Sequence, residues 1–228
     1  MNTLVKKTDS ELKRDVLDEL KYEPSVNNTN IGVLVQDGTV TLNGYANSYS
    51  EKWKAMAATK RVAGVHGIAD DIIIKTPHSL LRTDGDIATA ATNQISWLTS
   101  VSSGAVLPLV SKGWLTLAGE VDEGYQKCAV EEAVQHLVDV KGITNLLTVK
   151  KPALSVADIR DSIKNAFERS GLLDAGKIEI EFDANNKVTL RGHVTNYTER
   201  DEAERAAWAA GGVWSVDNQI EVTWAGAF

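Results

Sequence analysis

The chain repeats one glycine-centred segment three times, and this repetition limits its possible folds more than any other feature. The segments "VTLNG", "LTLAG" and "VTLRG" end at Gly44, Gly119 and Gly192, which are 75 and 73 residues apart. A valine follows each glycine after 21 residues and starts another shared pattern: "VHGIADDIII", "VKGITNLLTV" and "VWSVDNQIEV". A constant internal gap in three copies indicates tandem copies of one structural unit.

Each copy is predicted to begin with a helix. "TDSE" at 8, "TDGD" at 83 and "SVAD" at 155 place Thr or Ser three residues before an acid. This is a capping box, in which the hydroxyl and the carboxylate satisfy backbone N–H groups at the helix start. Apolar residues at every fourth position then form one helix face, and they are Leu12, Val16 and Leu20; Ile87, Ala91 and Ile95; Ile159, Ile163 and Phe167.

Two β-strands with a tight turn between them follow the first helix. The turns are Asp37-Gly38, Lys112-Gly113 and "DANNK" with Asn185 and Asn186, all of which tolerate the positive φ of a hairpin. A second helix with a face of small apolar residues comes next. Its predicted caps are Ser48 with Glu51 and Asn196 with Glu199.

The order α-β-β-α-β predicts an α+β fold with three tandem units. In each unit, a right-handed parallel crossover and a hairpin give a three-stranded mixed sheet with both helices on one face. The units are predicted to span residues 8–76, 82–150 and 155–223. Pro77 and Pro152 mark the linkers, because the residue before a proline favours an extended backbone.

The repeated glycines are interpreted as structural. We expect Gly44, Gly119 and Gly192 where the second strand turns into the second helix, at a site of positive φ or close backbone approach. Anion binding at the following helix N-terminus is the alternative. No GxGxxG or P-loop spacing surrounds these glycines to support it.

Composition favours a globular, soluble protein. Hydrophobic residues make up 43% of the chain, and the net charge is −7 without a basic domain or helix, which does not favour nucleic-acid binding. The N-terminus "MNTLVKKTDSELKRD" lacks the apolar core of a signal peptide. We therefore expect a cytoplasmic location for the chain as written, or a periplasmic one if a signal precedes it.

No catalytic or metal-binding pattern is found. His66, His78, His136 and His193 fall in different elements without paired spacing, and no GxSxG motif occurs. Cys128 occupies the helix position that Trp53 and Asp201 fill in the other copies. A position that accepts all three is predicted to be surface. The prediction is a protein without enzymatic activity, cofactor or metal cluster.

Tryptophans are the most unusual side chains, six among fourteen aromatic residues. Trp114, Trp214 and Trp224 are predicted in or beside strands, in core or interdomain packing. Trp53, Trp97 and Trp208 are predicted on helices, and exposed indoles there could contact a membrane or a protein partner.

The first helix of the second unit, "IATAATNQISWLTSV", carries no charge, whereas its counterparts carry several. The favoured interpretation is that the first and third units cover this helix. The alternative is a contact helix for lipid or a partner, with Trp97 beside its core face.

The order of elements, the strand "V-T-L-x-G" and the third-strand pattern "V-x-G-V/I-x-x-x-I-x-V" resemble the BON domain of bacterial OsmY-type and nodulation-associated proteins. Three copies would cover nearly the whole chain. The third copy has Ser215 in place of the glycine in the third-strand pattern.

The resemblance implies a bacterial, non-enzymatic protein of envelope or osmotic-stress physiology. Proteins of this family are described as transport-associated, and their usual proposed partner is the phospholipid membrane surface. Because some members are cytoplasmic and linked to potassium, a potassium-binding or protein-interaction scaffold is the alternative. The loops "AGVHG", "DVKG" and "AGGVW" are where backbone carbonyls would hold such an ion.

Overall fold

The three units have the same element order in the computed structural model, which describes residues 7–76, 81–150, 156–171, 173–183 and 187–223. The first unit contains α1 (Asp9–Tyr22), β1 (Ile31–Gln36), β2 (Thr39–Ala46), α2 (Tyr49–Arg61) and β3 (Gly67–Ile74). The second unit contains α3 (Asp84–Ser96), β4 (Val106–Ser111), β5 (Trp114–Val121), α4 (Gly124–Val134), β6 (Gly142–Asn145) and β7 (Thr148–Val149). The third unit contains α5 (Val156–Arg169), β8 (Ile178–Phe182), β9 (Lys187–Val194), α6 (Tyr197–Ala209) and β10 (Ser215–Val222).

The second strand is the centre of each sheet. It pairs antiparallel with the preceding strand and parallel with the strand after the second helix. In the second unit the parallel strand is interrupted, so β6 and β7 pair with β5 one after the other. The α+β prediction of three repeated mixed sheets is confirmed.

Helix starts and hairpin turns are connected by a carboxylate. Thr8 and Thr83 each form the predicted capping box with the acid three residues later. The carboxylate of Asp9 also accepts from the N–H groups of Asp37 and Gly38, both at 2.9 Å, and Asp84 repeats this contact in the second unit. The first helix therefore stabilises the positive-φ turn of its own hairpin.

Several sequence predictions concern residues outside the described ranges. These are Pro77, His78, Pro152, Ser155, Asn185, Asn186 and Trp224.

Every unit has its own hydrophobic core between the sheet and its two helices. All nine apolar residues predicted on the first helices are buried. Small side chains on the second helices, such as Ala55, Ala58 and Ala203, are fully buried and allow those helices to lie close to the sheet. Burial of these faces out of water is the main favourable term in folding.

An Asx side chain in the third strand connects the sheet to the second helix in all three units. Asp70, Asn145 and Asn218 each accept from the N–H group two residues later at 3.2 Å. On the helix side, Asn145 and Asn218 donate to the carbonyls of Lys127 and Arg200, and Asp70 pairs with Lys52 at 2.7 Å. The repeated pattern "D/N-x-I/L" marks this side chain in the sequence. Its contacts on the second helix could be identified only from the structure.

The repeated glycines lie inside the second strands, rather than at the turn into the helix where we expected them. Gly44, Gly119 and Gly192 have φ values of 108°, 134° and 133°. A Cβ atom there would collide with a carbonyl oxygen just before the first strand, that of Asn30, Ala105 or Lys177. Both the backbone conformation and the close approach therefore require glycine.

The substitution Gly119→Ala is expected to lower the free energy of unfolding by roughly 3 kcal/mol, because left-handed strain and overpacking add. Gly104→Ala is the matched control. Gly104 also has a positive φ, of 78°, but no atom lies within 4 Å of the added Cβ. The control should cost about 1 kcal/mol from backbone strain alone. Urea denaturation measures both, and equal losses would show that the carbonyl contact is unimportant.

Candidate functional site

The second helices have an equivalent stripe of partly exposed residues beside their buried faces, mostly apolar in α2 and polar in α4. The stripe occupies helix positions i, i+3, i+4 and i+7, starting at Trp53 in α2, Cys128 in α4 and Asp201 in α6. Positions with this spacing share one side of a helix. In all three helices the stripe faces the junction of the units, where it lines two adjoining clefts.

The N-terminal end of α2 contacts the second unit. Tyr49, the first residue of α2, packs against the core of the second unit, and burial there raises the pKa of its phenol. Ser50 Oγ lies 2.9 Å from Nδ1 of His136, just after α4. The start of one second helix therefore meets the end of the next.

The same contact recurs between the second and third units. The N–H group of Gly212, just after α6, donates to the carboxylate of Glu123 at the start of α4. Trp208 near the end of α6 packs against both cores and lies directly over Gly124. Gly124 stands where the other units have tyrosine, and it leaves the space that the indole fills.

The third unit in turn contacts the first. Tyr197, the first residue of α6, packs against the first core and donates from Oη to the carbonyl of His66 at 2.6 Å. The ammonium of Lys60, near the end of α2, lies 2.6 Å from Asp201. Three head-to-tail contacts thus close the units into a ring. Head-to-tail interfaces form a ring when the rotation between successive units brings the last unit back to the first.

The two clefts at the centre of this ring share Trp53, Glu131, Glu132, Asp201 and Arg205, and together we call them the central cleft. Each has a volume of about 580 Å³; one lies between α4 and α6, and the other between α2 and α6. The Trp53, Cys128 and Asp201 position, predicted to be surface, lines this open cleft, and none of the three residues is buried. These equivalent residues come from three helices and converge on the same cleft.

The cleft between α4 and α6 has a negative electrostatic field. Four carboxylates and two basic side chains line it. Burial raises the pKa of the Cys128 thiol, and the charges of Glu131, Glu132 and Glu204 raise it further. A thiolate is therefore disfavoured at this position, which argues against a nucleophilic role.

A second surface is the outer face of the second sheet, opposite its helices. Strand alternation and register place Leu107, Leu109, Trp114 and Leu146 there, and they retain 50–59% exposure. Trp114 was predicted in core or interdomain packing, and this prediction is wrong. Its indole N–H donates to Thr144 on the same outer face at 2.8 Å.

The equivalent face of the third unit is charged instead. Glu179 and Glu181 stand at the register positions of Leu107 and Leu109, because Val106 pairs with Gly119 as Ile178 pairs with Gly192. Ion pairs cross this face, among them Arg191 with Glu181 at 3.0 Å and Lys187 with Asp217 at 3.0 Å. On the outer face of the second unit, the only charged strand residue among those described is Glu120, at the end away from Trp114.

Helix α3, which carries no charge from Ile87 onward, is not covered by the neighbouring units, so the favoured interpretation of it is wrong. Its buried residues face its own sheet, and Trp97 at its end is 83% exposed. Thr89 and Thr92 donate to carbonyls four residues earlier in the helix, at 2.9 and 2.8 Å. These hydroxyls are therefore partly satisfied by the helix itself.

The three predicted contact tryptophans occupy different environments. Trp97 is free on the surface, Trp53 is 40% exposed in the central cleft, and Trp208 is half-buried between the second and third units. Trp214, which was predicted to be packed, is 40% exposed beside β10. The structure therefore does not bring the predicted contact tryptophans together on one surface.

Metal-binding features are limited in the described part of the chain. No group of three His, Cys, Asp or Glu side chains there has the arrangement of a metal site. In the loop "AGVHG", the carbonyl of Ala63 accepts from the Lys7 ammonium at 3.0 Å, so an internal cation already occupies this carbonyl. Within the same described ranges, no helix combines the length and hydrophobicity that crossing a bilayer requires.

The substitution Gly124→Ala is expected to weaken the contact between the second and third units. A Cβ atom there would lie 2.8 Å from the Trp208 carbonyl oxygen and would collide with the indole. We expect a loss of about 1–3 kcal/mol, although alanine is the better helix former. Gly85→Ala, in the first turn of α3, is the control, since its nearest atom would be 3.7 Å away. Calorimetry should show destabilisation only for Gly124→Ala.

Alkylation of Cys128 by iodoacetamide should have a pH midpoint above that of an exposed cysteine, because burial and nearby glutamates raise its pKa. Glu132→Ala should lower this midpoint by removing one negative charge. The reference is Ser103→Cys in a Cys128→Ala background, since Ser103 is exposed in a turn and lies away from any helix N-terminus, which would lower a thiol pKa. A Cys128 midpoint at or below the reference would contradict the negative field in the cleft.

Comparison with solved structures finds only low similarity. Two solved structures of CdsD, a structural protein of the type III secretion system of Chlamydia trachomatis, are similar to the chain. One has 13% identity and a TM-score of 0.27, covering 94% of this chain and 93% of that chain. The other, of the C-terminal domain, has 12% identity and a TM-score of 0.25, covering 95% and 100%. At these values the similarity carries no argument about function.

No curated protein sequence matches the chain significantly. The sequence model of the BON domain, however, matches three consecutive stretches, residues 8–76, 83–151 and 155–223. These matches coincide with the three α-β-β-α-β units, and each contains one of the repeated glycines. The chain therefore belongs to the BON domain family, with three tandem BON domains.

Proposed function

We propose that this protein is a non-enzymatic binding protein that associates with phospholipid membrane surfaces through the outer face of its second unit. The observation that carries the proposal is the exposed apolar group on that face, Leu107, Leu109, Trp114 and Leu146. Membership of the BON domain family supports a binding role and its place in envelope or osmotic-stress physiology.

The chemistry of this face suits the boundary between water and lipid. Exposed clusters of large apolar side chains mark interaction sites on soluble proteins. Each leucine moved out of water contributes roughly 1.5–3 kcal/mol when fully buried. The indole of Trp114 combines an apolar ring with a polar N–H group, which favours the headgroup region.

Two exposed lysines at the hairpin end of the face add a second attraction. Lys112 lies in the hairpin turn beside Trp114, and the Lys141 side chain approaches Gly113 of the same turn. Ammonium groups near an anionic bilayer contribute about 1 kcal/mol each. We therefore expect apolar contact to supply most of the binding and the lysines to add a modest preference for anionic lipid.

The double substitution Leu107→Glu and Leu109→Glu should abolish co-sedimentation with liposomes and leave the melting temperature nearly unchanged. Both glutamates are compatible with the fold, because the third unit carries Glu179 and Glu181 at the equivalent positions. Leu34→Glu in the first unit is the matched control. Leu34 is 57% exposed at the position equivalent to Leu109.

Vesicles of neutral and anionic composition, each at low and moderate salt, separate the outcomes. The proposal expects binding to both, with moderate enhancement by anionic lipid. Absence of binding to any vesicle would overturn membrane association and would favour a protein partner for the same face. Equal loss of binding in the Leu34→Glu control would show that the second unit is not the contact surface.

A further inference from the structure

We propose that the central cleft binds a small organic cation of the alkylammonium class. This inference is independent of membrane association, since the cleft lies among the second helices and the proposed lipid contact lies on the outer face of a sheet. Each part of the cleft has a volume of about 580 Å³, which is within the usual range of small-molecule sites. Side chains from all three units form its walls.

Aromatic rings in the cleft already hold an ammonium group. The Nζ atom of Lys127 lies 4.8 Å from the centroid of the Trp208 ring, within the range of a cation–π contact. Trp53 supplies a second indole and lines both parts of the cleft. Rings of this kind attract alkylammonium ions, whose hydrocarbon portions also pack against them.

The carboxylates of the cleft give it the matching charge. Glu131 and Glu204 accept from the side-chain amides of Asn145 and Asn218, both at 3.1 Å, which fixes their positions. Neutral amides orient these carboxylates without cancelling their charge. Among the described residues, no ion pair or hydrogen bond neutralises Glu132, which is exposed at the centre of the cleft.

The basic side chains of the same cleft are already engaged. Lys127 stacks on Trp208, and Arg205 is held by Glu202 through two hydrogen bonds of 2.7 and 2.8 Å. In the part between α2 and α6, Lys52, Lys60 and Arg61 pair with Asp70, Asp201 and Glu19 at 2.7, 2.6 and 2.7 Å. An anionic ligand would have to compete with these contacts and would face the surrounding glutamates. The pKa of the Cys128 thiol is raised first by burial and then by the charges of Glu131, Glu132 and Glu204, and this second cause agrees with a field that disfavours negative charge. The arrangement thus favours a cation over an anion.

Putrescine is the probe for this proposal, and 1,4-butanediol, a neutral molecule of the same length, is its control. We expect putrescine at millimolar concentration to change tryptophan fluorescence and raise the melting temperature of the full chain. Butanediol, or sodium or potassium chloride at equal ionic strength, should have much smaller effects. Equal responses to putrescine and to either salt would overturn the proposal.

Substitutions then locate the site. Glu132→Ala should weaken putrescine binding about fivefold or more, equivalent to roughly 1 kcal/mol. Alanine is compatible with the fold, because Ala57 stands at the equivalent position of α2. Asp18→Ala, at an exposed position of α1, removes the same charge outside the cleft and should leave affinity unchanged. Equal weakening by both variants would show only a general charge effect and would overturn the central cleft as the site.

Trp53→Leu provides a second, independent variant. Trp53 belongs to none of the three buried cores, so its replacement should preserve the fold. We expect it to weaken putrescine binding severalfold through loss of the ring. Unchanged affinity in both Glu132→Ala and Trp53→Leu would overturn the proposal.

Discussion

The contact between the start of one second helix and the end of the next holds the three units in one arrangement. Each small unit has its own core, but the central cleft exists only because these contacts bring α2, α4 and α6 together. The contacts are made differently in each case. Tyr49 and Tyr197 insert a ring into the neighbouring core, whereas Gly124 receives the ring of Trp208. The same arrangement of neighbouring second helices is therefore maintained by a large side chain at the helix start in two contacts and by a glycine in the third.

Divergence among equivalent positions gives each part of the ring a separate role. In a ring of identical subunits, every axis-facing position would carry the same residue three times. A single chain escapes this restriction, so Trp53, Cys128 and Asp201 can meet at one cleft. The outer faces diverge in the same way, with Leu109 on the second unit and Glu181 on the third. Gene duplication followed by divergence thus allows an approximately symmetric scaffold to carry asymmetric surfaces.

The sequence predicts the individual unit well because its signals are local. Capping boxes, hairpin turns and apolar spacing concern residues close together in the chain. Each of these patterns occurs in all three copies of the sequence, which strengthens the prediction. The glycine prediction identified the right residues but placed them at the wrong point. Gly119 touches the carbonyl of Ala105, a contact set by strand register and not by the following helix.

The arrangement of the units could not be predicted from such patterns. The stripe that faces the centre differs among the copies, from Met56 and Ala57 in α2 to Glu131 and Glu132 in α4, so the copies share no hydrophobic pattern there. One signal was present: Gly124 stands where the other two copies have tyrosine, and such a change at a helix start indicates close packing. The absence of charge on α3 after its first turn was misleading, because hydroxyls such as that of Thr92 bond to the helix backbone and the helix stays exposed.

Ring closure also determines how many units the chain needs. Each unit has two contact surfaces, one at the start of its second helix and one at the end of that helix. With three units all six surfaces are occupied within one molecule, so the assembly is self-limiting. A chain with only two such units would leave one surface of each kind unsatisfied and open to a unit of another molecule. In this chain, three units therefore occupy every helix-end surface within one molecule.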